Sequence, residues 1–266
     1  MNNLVTNFDQ IVEFAERMGV PVDKKRGIIR EYLQSKFISI LYSLPDSQKL
    51  SFVGGTGLRL IRGLNRFSED LDFDNLGLSN DKVRYLVSEV VKRFQTEGIS
   101  TELKLQTREE KTYFELKFPN LLKELKITTN PKEKLMVKFD YASSWKAQTT
   151  ETILFSKYGF IESVVVNELN QNMVQKLVAY LHRKTVQPRD IYDIVWMYSQ
   201  GARPDTVFAE NNGFGDIVQQ ALAKFNSEGV TPGFKNRLAP FLFNPADVSK
   251  LDLFRSVLKD LLGKAD

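Results

Sequence analysis

The sequence predicts an α+β fold in which helices flank a mixed sheet and a helical lobe follows at the C-terminus. Apolar residues recur at helical spacing over the first 48 residues and again from Glu168 onwards, whereas the middle of the chain holds short segments with strand alternation. We therefore predict a helical lead-in over 1–48 that packs on the core, a central domain over 49–167, and a helical C-terminal domain over 168–266.

The lead-in is predicted from two runs of apolar residues that end at a break formed by Pro45 and Asp46. The residues at helical spacing are Phe8, Ile11, Val12 and Phe14, followed by Ile28, Ile29, Tyr32, Leu33, Phe37, Ile40 and Leu41.

The central domain is predicted from alternating segments and one glycine turn. The strand candidates are Leu50–Val53, 70–74, 101–107, 112–118, 136–141 and 161–166, and the helix candidates are 56–62 and 81–97, the latter capped by Ser79 or Asn80. In the C-terminal domain we expect one helix from Glu168 that Pro188 interrupts, a second from Asp190, and several more.

Composition excludes several classes of protein. The chain of 266 residues has no cysteine and a single histidine, so thiol chemistry, cysteine-based zinc sites and histidine-cluster metal sites are excluded. Neither a long apolar run nor a signal-like start is seen, so we expect a cytoplasmic protein without a membrane span. The formal net charge of +4 is compatible with a polyanionic partner without requiring one.

The chemistry concentrates in the segment 52–74, where a strand runs into Gly54 and Gly55, a helix follows, and a second strand carries Asp70 and Asp72. Glycines allow close backbone approach, and the N–H groups at a helix start attract phosphate. Two carboxylates at i and i+2 of a strand lie on one face and suit Mg²⁺. Either element alone is common by chance, but together they predict a site for a metal-bound triphosphate.

This segment resembles a known family. The strings Gly54-Gly55-Thr56-x-Leu58-Arg59-Leu60 and Arg66-Phe67-Ser68-Glu69-Asp70-Leu71-Asp72-Phe73 are similar to the signature of the AbiEii/AbiGii toxins, which include the MenT toxins of mycobacteria. These proteins belong to the nucleotidyltransferases of the DNA polymerase β superfamily. Many members of that superfamily have Gly-Ser and a shorter spacing, so Thr56 and the longer gap agree with the toxin branch.

A second block supports the resemblance. The residues Lys176-Leu177-x-Ala179-x-x-x-Arg183 and Arg189-Asp190-x-Tyr192-Asp193 resemble a downstream pattern of the same family. The resemblance covers roughly residues 50–200 and implies a nucleotidyltransferase fold.

Three carboxylates are the predicted catalytic group. Asp70 and Asp72 are the expected Mg²⁺ ligands, while Asp74 shares their face and reads as a solvated strand end. The superfamily places a third carboxylate on a later strand, for which Asp140 is the candidate; the alternative is a surface acid paired with Lys138.

The remaining candidates concern the nucleotide. Gly54, Gly55 and Thr56 would hold the triphosphate, and Ser68 is either a phosphate ligand or a turn residue. The resemblance implies catalytic roles for Lys176 and Asp190 and nucleotide binding by Lys176 and Arg183. Lys176 would contact the triphosphate and Asp190 would hold Lys176 or Arg183, with Asp193 a weaker candidate. The alternatives are a solvated basic helix face and an ordinary acidic residue at a helix start.

The aromatic residues of the motifs are assigned to the core rather than to base stacking: Phe52, Phe67, Phe73 and Trp196. His182 is expected to be a partly exposed helix residue.

The resemblance implies a toxin of a toxin–antitoxin or abortive-infection system that transfers NMP from an NTP to an acceptor, with the tRNA 3′ end as the expected acceptor, a block of translation as the effect, and an antitoxin as partner. A basic surplus could guide such an RNA, although a solvated surface explains it equally: Lys123, Lys126, Lys132, Lys134 and Lys138. Two alternatives stay open, namely a protein or small-molecule acceptor, and a non-catalytic module that binds NTP or an antitoxin.

Overall fold

The computed structural model describes residues 3–108 and 111–263, which form two compact units. The first unit comprises the chain up to Gly63 together with Phe67–Ser144 and Thr152–Val166. The second comprises Leu64–Arg66, Trp145–Glu151 and the chain from Asn167 onwards. The N-terminal helices thus belong to the same unit as most of the sheet, and the three-part division at residues 48 and 167 stays a prediction.

Helices account for most of the N-terminal segment and of the second unit. They are α1 (Asn3–Thr6), α2 (Phe8–Arg17), α3 (Lys25–Tyr42), α4 (Gly54–Arg62), α5 (Asn80–Thr96), α6 (Leu121–Glu124), α7 (Leu169–His182), α8 (Pro188–Ser199), α9 (Thr206–Asn211), α10 (Ile217–Glu228), α11 (Pro232–Leu238) and α12 (Phe254–Leu261). Short 3₁₀ turns occupy Ser47–Lys49, Ala239–Phe241 and Pro245–Leu253. Within the described residues, no helix combines the length and apolarity that a membrane crossing needs.

A mixed seven-stranded sheet has the order β3-β4-β5-β2-β1-β7-β6 in the part of the chain that the structure describes. Its strands are β1 (Leu50–Val53), β2 (Asp70–Asn75), β3 (Glu102–Arg108), β4 (Lys111–Phe118), β5 (Leu135–Ala142), β6 (Thr150–Lys157) and β7 (Phe160–Asn167). Strand β2 pairs with β5 in parallel and with β1 antiparallel, while β1 and β7 are parallel. The predicted α+β class with a mixed sheet is therefore confirmed.

Most predicted elements are present, with two differences. Strand β6 was not predicted; its outward positions mix Thr150, Thr152 and the exposed Leu154, so polarity alternates too weakly to indicate a strand. Pro188 does not interrupt a helix, because α7 has already ended at His182 and the proline opens α8, where its missing N–H costs nothing. The cap of α5 is Ser79, whose Oγ accepts from the Lys82 N–H.

An aromatic row fills the core under the centre of the sheet. Phe73 of β2 stacks on Phe52 of β1 at 5.1 Å and on Phe139 of β5 at 4.8 Å, and Phe37 of α3 covers the last ring at 5.6 Å. All four are buried. The predicted packing roles of Phe52, Phe67, Phe73 and Trp196 are confirmed by their burial.

A buried ion pair fastens α4 to α3 in the first unit. Arg59 donates from Nε and Nη2 to the two oxygens of Glu31, at 2.8 and 3.1 Å, and the Tyr158 hydroxyl donates to the same carboxylate at 3.1 Å. Removing one partner of such a pair leaves an uncompensated charge in the interior. The helix that begins at the two glycines is thereby held by a two-point contact.

We predict that Glu31→Gln lowers the free energy of unfolding by about 3–5 kcal/mol, because the Arg59 guanidinium then lacks its counter-charge. The matched control is Glu102→Gln, which removes the partner of Lys134 in an exposed pair and costs at most about 1 kcal/mol. Urea unfolding followed by circular dichroism measures both. Equal losses for the two variants would contradict the assignment of Glu31 as a structural anchor.

Candidate active site

The two glycines lie at the junction between β1 and α4, since the strand ends at Val53 and the helix begins at Gly54. Gly54 has a φ of +70°, and a Cβ built there would lie 2.2 Å from Oδ2 of Asp72. Position 54 therefore requires glycine for two separate reasons, the left-handed backbone and the close approach of a carboxylate. The turn and the acidic strand are in direct contact.

The start of α4 supplies backbone N–H groups that have no acceptor within the helix, as in any helix start. Together with the helix dipole they favour an anion. Thr56 lies in this first turn, but it is fully buried and its hydroxyl donates to the backbone carbonyl of Asp70. This bond joins the turn to β2, a role that the sequence did not predict, and the phosphate contact of Thr56 stays a prediction.

The predicted carboxylates come together on one face of two neighbouring strands. Asp70 and Asp72 lie two residues apart on β2, so they share a face. In the parallel pairing with β5, Asp72 is the register partner of Asp140. Adjacent strands are about 4.8 Å apart, so the carboxylates of Asp72 and Asp140 project side by side. We call Asp70, Asp72 and Asp140 the acid group.

Lys138 belongs to the acid group's surroundings rather than to an open basic surface. It is the register partner of Asp70, and its ammonium is bonded to the Asp140 carboxylate. Asp140 is thus paired with Lys138, as expected of an ordinary acid on the strand. It also lies beside Asp72, as expected of a third carboxylate of the site. The expectation that Asp74 is a solvated strand end is wrong, because Asp74 is only 4% exposed.

The segment before β2 is fixed by a residue that sequence reasoning missed. The buried side chain of Gln34 on α3 donates to the backbone carbonyls of Ser68 and Glu69, at 3.1 and 2.9 Å. Arg30, one turn earlier, binds the Glu69 carboxylate at 2.7 Å. Ser68 is half-buried, and its proposed contact with phosphate stays a prediction. No local pattern marks Gln34, since its partners lie more than thirty residues away.

The carboxylate oxygens of the acid group suit a divalent metal by their chemistry, although they do not form a closed metal site. Carboxylate oxygens are the ligands that Mg²⁺ prefers, and the field of this group already draws the Lys138 ammonium to it. No cluster of three or more His, Cys, Asp or Glu side chains forms a metal cage among the residues that the structure describes. Asp70 and Asp72 would therefore hold the metal only in part, and phosphate oxygens and water would supply the remaining ligands.

The second unit contains the other predicted site residues in one ion network, which is buried at Asp190 and Asp193, mostly buried at Lys176 and exposed at Arg183, whose side chain is 40% exposed. Lys176 binds Asp193 at 2.8 Å and Asp190 at 3.3 Å, and Arg183 binds Asp190 at 3.0 Å. Asp190 therefore holds both cations, which is the contact that the resemblance implied. These helix residues are not an open solvated face, since Lys176 is 12% exposed and both aspartates are fully buried. Their part in catalysis stays a prediction.

Arg66, for which the motif alone predicted no role, completes this network. It forms two parallel hydrogen bonds with Asp193, at 2.7 and 2.6 Å, and is 1% exposed. Burial works to raise the pKa of Asp193, but the charges of Arg66 and Lys176 and their hydrogen bonds hold that pKa below its usual range. Asp193, ranked as the weaker candidate, lies at the centre of the network.

In the first unit a strand, a glycine turn and a helix are followed by an acidic strand, and the neighbouring strand carries a third carboxylate. This is the arrangement of a nucleotidyltransferase. The model of the nucleotidyl transferase AbiEii toxin family, of type IV toxin–antitoxin systems, matches residues 39–261. The chain belongs to this family, and it is a nucleotidyltransferase. The comparison with curated proteins gives no match.

Two solved structures from Helicobacter pylori share the fold. JHP933 has 17% sequence identity and a TM-score of 0.50, and the match covers 90% of this chain and 94% of that one. A second protein, described as a candidate nucleotidyltransferase, has 17% identity and a TM-score of 0.51, with coverages of 90% and 96%. At this identity the similarity concerns the fold alone.

We predict that Gly54→Ala reduces nucleotidyl transfer on the order of a hundredfold, because its Cβ displaces the Asp72 carboxylate. Gly63→Ala is the matched control: Gly63 ends the same helix with a φ of +84°, yet nothing lies within 4 Å of the added Cβ. It costs about 1–2 kcal/mol of backbone strain and leaves transfer intact. The transfer of label from an α-labelled NTP and the melting temperature are measured for both variants. Equal transfer by Gly54→Ala and Gly63→Ala would refute the proposal that a side chain at position 54 displaces Asp72.

We predict that Arg66→Met lowers the free energy of unfolding by about 3–5 kcal/mol at pH 7, because Asp193 keeps its buried charge with one cation fewer. In the wild type, the lowered pKa of Asp193 contributes stability above its unfolded value of 3.8, which is lost as the pH falls through the folded value. In the Arg66→Met variant the pKa of Asp193 in the folded state is higher than in the wild type. As the pH falls, Asp193 therefore becomes protonated at a higher pH, which removes its buried charge. The difference between the two proteins therefore shrinks on acidification.

Urea unfolding at pH 7, 5 and 4 measures this effect. The control is Lys235→Met, which removes an exposed pair with Asp252 and shifts stability by at most about 1 kcal/mol. A destabilisation by Arg66→Met that grows as the pH falls would overturn the account of Asp193.

Proposed function

We propose that this enzyme is a Mg²⁺-dependent toxin that transfers a nucleoside monophosphate from an NTP to the 3′ end of tRNA and so blocks translation. The observation that carries the proposal is the acid group, in which Asp72 lies against the glycine turn and beside Asp140. A metal-bound nucleoside triphosphate needs a helix start that attracts its phosphates and carboxylates that can hold its metal, and the glycine turn and the acid group of the first unit support both roles.

In the proposed reaction the acceptor hydroxyl oxygen attacks the α-phosphorus. A new P–O bond forms, the bond from the α-phosphorus to the bridging oxygen breaks, and pyrophosphate leaves. Asp140 accepts the hydroxyl proton, the α4 N-terminus binds the triphosphate, and Asp70 and Asp72 are the residues that would hold the metal. A bound Mg²⁺ supplies charge compensation on the phosphate oxygens. Lys176, Arg183 and Asp190 are proposed to take part, with Lys176 contacting the triphosphate.

An RNA acceptor is supported by the excess of basic residues and by exposed lysines in the first unit: Lys123, Lys126 and Lys132. The other two lysines proposed to guide RNA are in ion pairs, Lys134 with Glu102 and Lys138 with Asp140. Their charges are therefore already compensated within the chain. Membership of a type IV toxin–antitoxin family implies a cognate antitoxin as the partner. We propose that both encounters take place in the cytoplasm.

We predict that Asp70→Asn lowers the transfer of label from an α-labelled NTP by at least about a hundredfold. A metal at the site would lose a carboxylate ligand, and the negative charge on the phosphates would be compensated less well. The assay incubates the protein with each α-labelled NTP, Mg²⁺ and total tRNA. Asp9→Asn, an exposed position on α2, is the charge-matched control and retains full transfer. Transfer by Asp70→Asn at the control's rate would refute the catalytic role of the acid group.

The acceptor is tested separately with tRNA whose 3′-terminal hydroxyls have been oxidised by periodate. Transfer to intact tRNA and its loss on oxidised tRNA support the 3′ end as acceptor. Label on protein or on a small molecule, identified by mass spectrometry, replaces tRNA with one of those acceptors. Nucleotide binding without transfer to any of them would leave a non-catalytic binding module.

A further inference from the structure

A lysine ammonium lies among the three carboxylates of the acid group. Lys138 and Asp140 lie two residues apart on β5 and therefore share the face that Asp70 and Asp72 occupy on β2. Lys138 is bonded to the Asp140 carboxylate, and both side chains are partly buried, at 27% and 29% exposure. A cation of the chain itself is thus bonded to one of the three carboxylates among which the proposed reaction needs a divalent cation.

The position of this ammonium is defined from a third strand. Its Nζ lies 4.1 Å from the ring centroid of Tyr113 on β4, the register partner of Asp140. An aromatic face attracts a cation and limits where it can go. Glu115, which is opposite Lys138 in the β4–β5 pairing, is bonded to Lys117 instead. Lys138 is therefore held towards Asp140.

The electrostatic balance agrees with this geometry. Partial burial works to lower the pKa of Lys138, but the hydrogen bond to Asp140 and the charges of Asp140, Asp70 and Asp72 outweigh it and raise that pKa. All three carboxylates thus stabilise the ammonium. Without a cation, three like charges on adjacent strands would repel one another.

We propose that Lys138 is an internal counter-ion that competes with the divalent metal for the acid group and thereby makes metal binding depend on the nucleotide. The proposal rests on the proposed function, which assigns Asp70 and Asp72 as metal ligands. A metal ion that arrives alone meets a positive charge already bound to Asp140. A metal ion that arrives bound to a triphosphate is part of a complex with net negative charge. The phosphate oxygens of that complex offer the Lys138 ammonium a new partner.

The test measures metal binding without turnover. Free Mn²⁺ is quantified by electron paramagnetic resonance during titration of the protein, with and without a non-hydrolysable NTP analogue. Lys138→Met, which keeps the length of the side chain and removes its charge, is expected to bind Mn²⁺ alone roughly tenfold more tightly, since removing a neighbouring like charge favours a cation. The gain in Mn²⁺ affinity that the analogue produces shrinks by a similar factor.

Two further variants make the result specific. Lys138→Arg keeps the charge and is expected to retain wild-type Mn²⁺ affinity, and Lys134→Met, just before β5, removes an exposed lysine and leaves the affinity unchanged. Melting in chelator verifies that each variant folds, and Lys138→Met is expected to melt at a lower temperature because Asp140 loses its ion pair with Lys138. If Lys138→Met does not fold, Lys138→Gln is measured instead.

The outcomes separate this proposal from the proposed function. If Asp70→Asn abolishes Mn²⁺ binding but Lys138→Met binds Mn²⁺ no more tightly than the wild type, the counter-ion role is overturned and the metal assignment stands. If Lys138→Met instead weakens nucleotide binding alone, Lys138 is a phosphate ligand and the proposal is again overturned. If Asp70→Asn leaves Mn²⁺ binding unchanged, both proposals fail.

Discussion

The register between β2 and β5 is the constraint on which the candidate site depends. It aligns Asp72 with Asp140 on one face, while Phe73 and Phe139 stack at 4.8 Å on the other. A slip of one residue would turn every side chain of one strand to the opposite face and bury its carboxylates under the sheet. The aromatic row therefore holds the acid group in register, so core packing and the alignment of the carboxylates depend on the same strand pairing.

Much of this arrangement follows from local sequence, and the remainder depends on long-range pairing. The shared face of Asp70 and Asp72 is a property of one strand, and the resemblance, which implies a third carboxylate on a later strand, led to Asp140. The position of Lys138 beside Asp70 requires the pairing of strands that lie far apart in the chain, so the sequence alone left it among surface lysines. Strand β6 was missed because its alternation is weak.

The buried polar contacts were the least predictable part of both units. Arg66 and Asp193 are 127 residues apart, and each lies in a motif that identifies a family without indicating which partner its residues bind. The Thr56 hydroxyl donates to the Asp70 carbonyl, a contact that depends on how the turn packs on β2 and that the local sequence did not predict. Buried polar groups need partners, but the sequence does not say which.

The charges of the two clusters differ in sign, and this difference has a chemical consequence. Three carboxylates and one ammonium leave the named groups of the acid cluster with an excess of negative charge. Arg66, Lys176 and Arg183 face two aspartates in the second unit, so those named groups carry an excess of positive charge. The acid group therefore favours a cation and the ion network of the second unit favours an anion, so each motif block carries its own electrostatic preference.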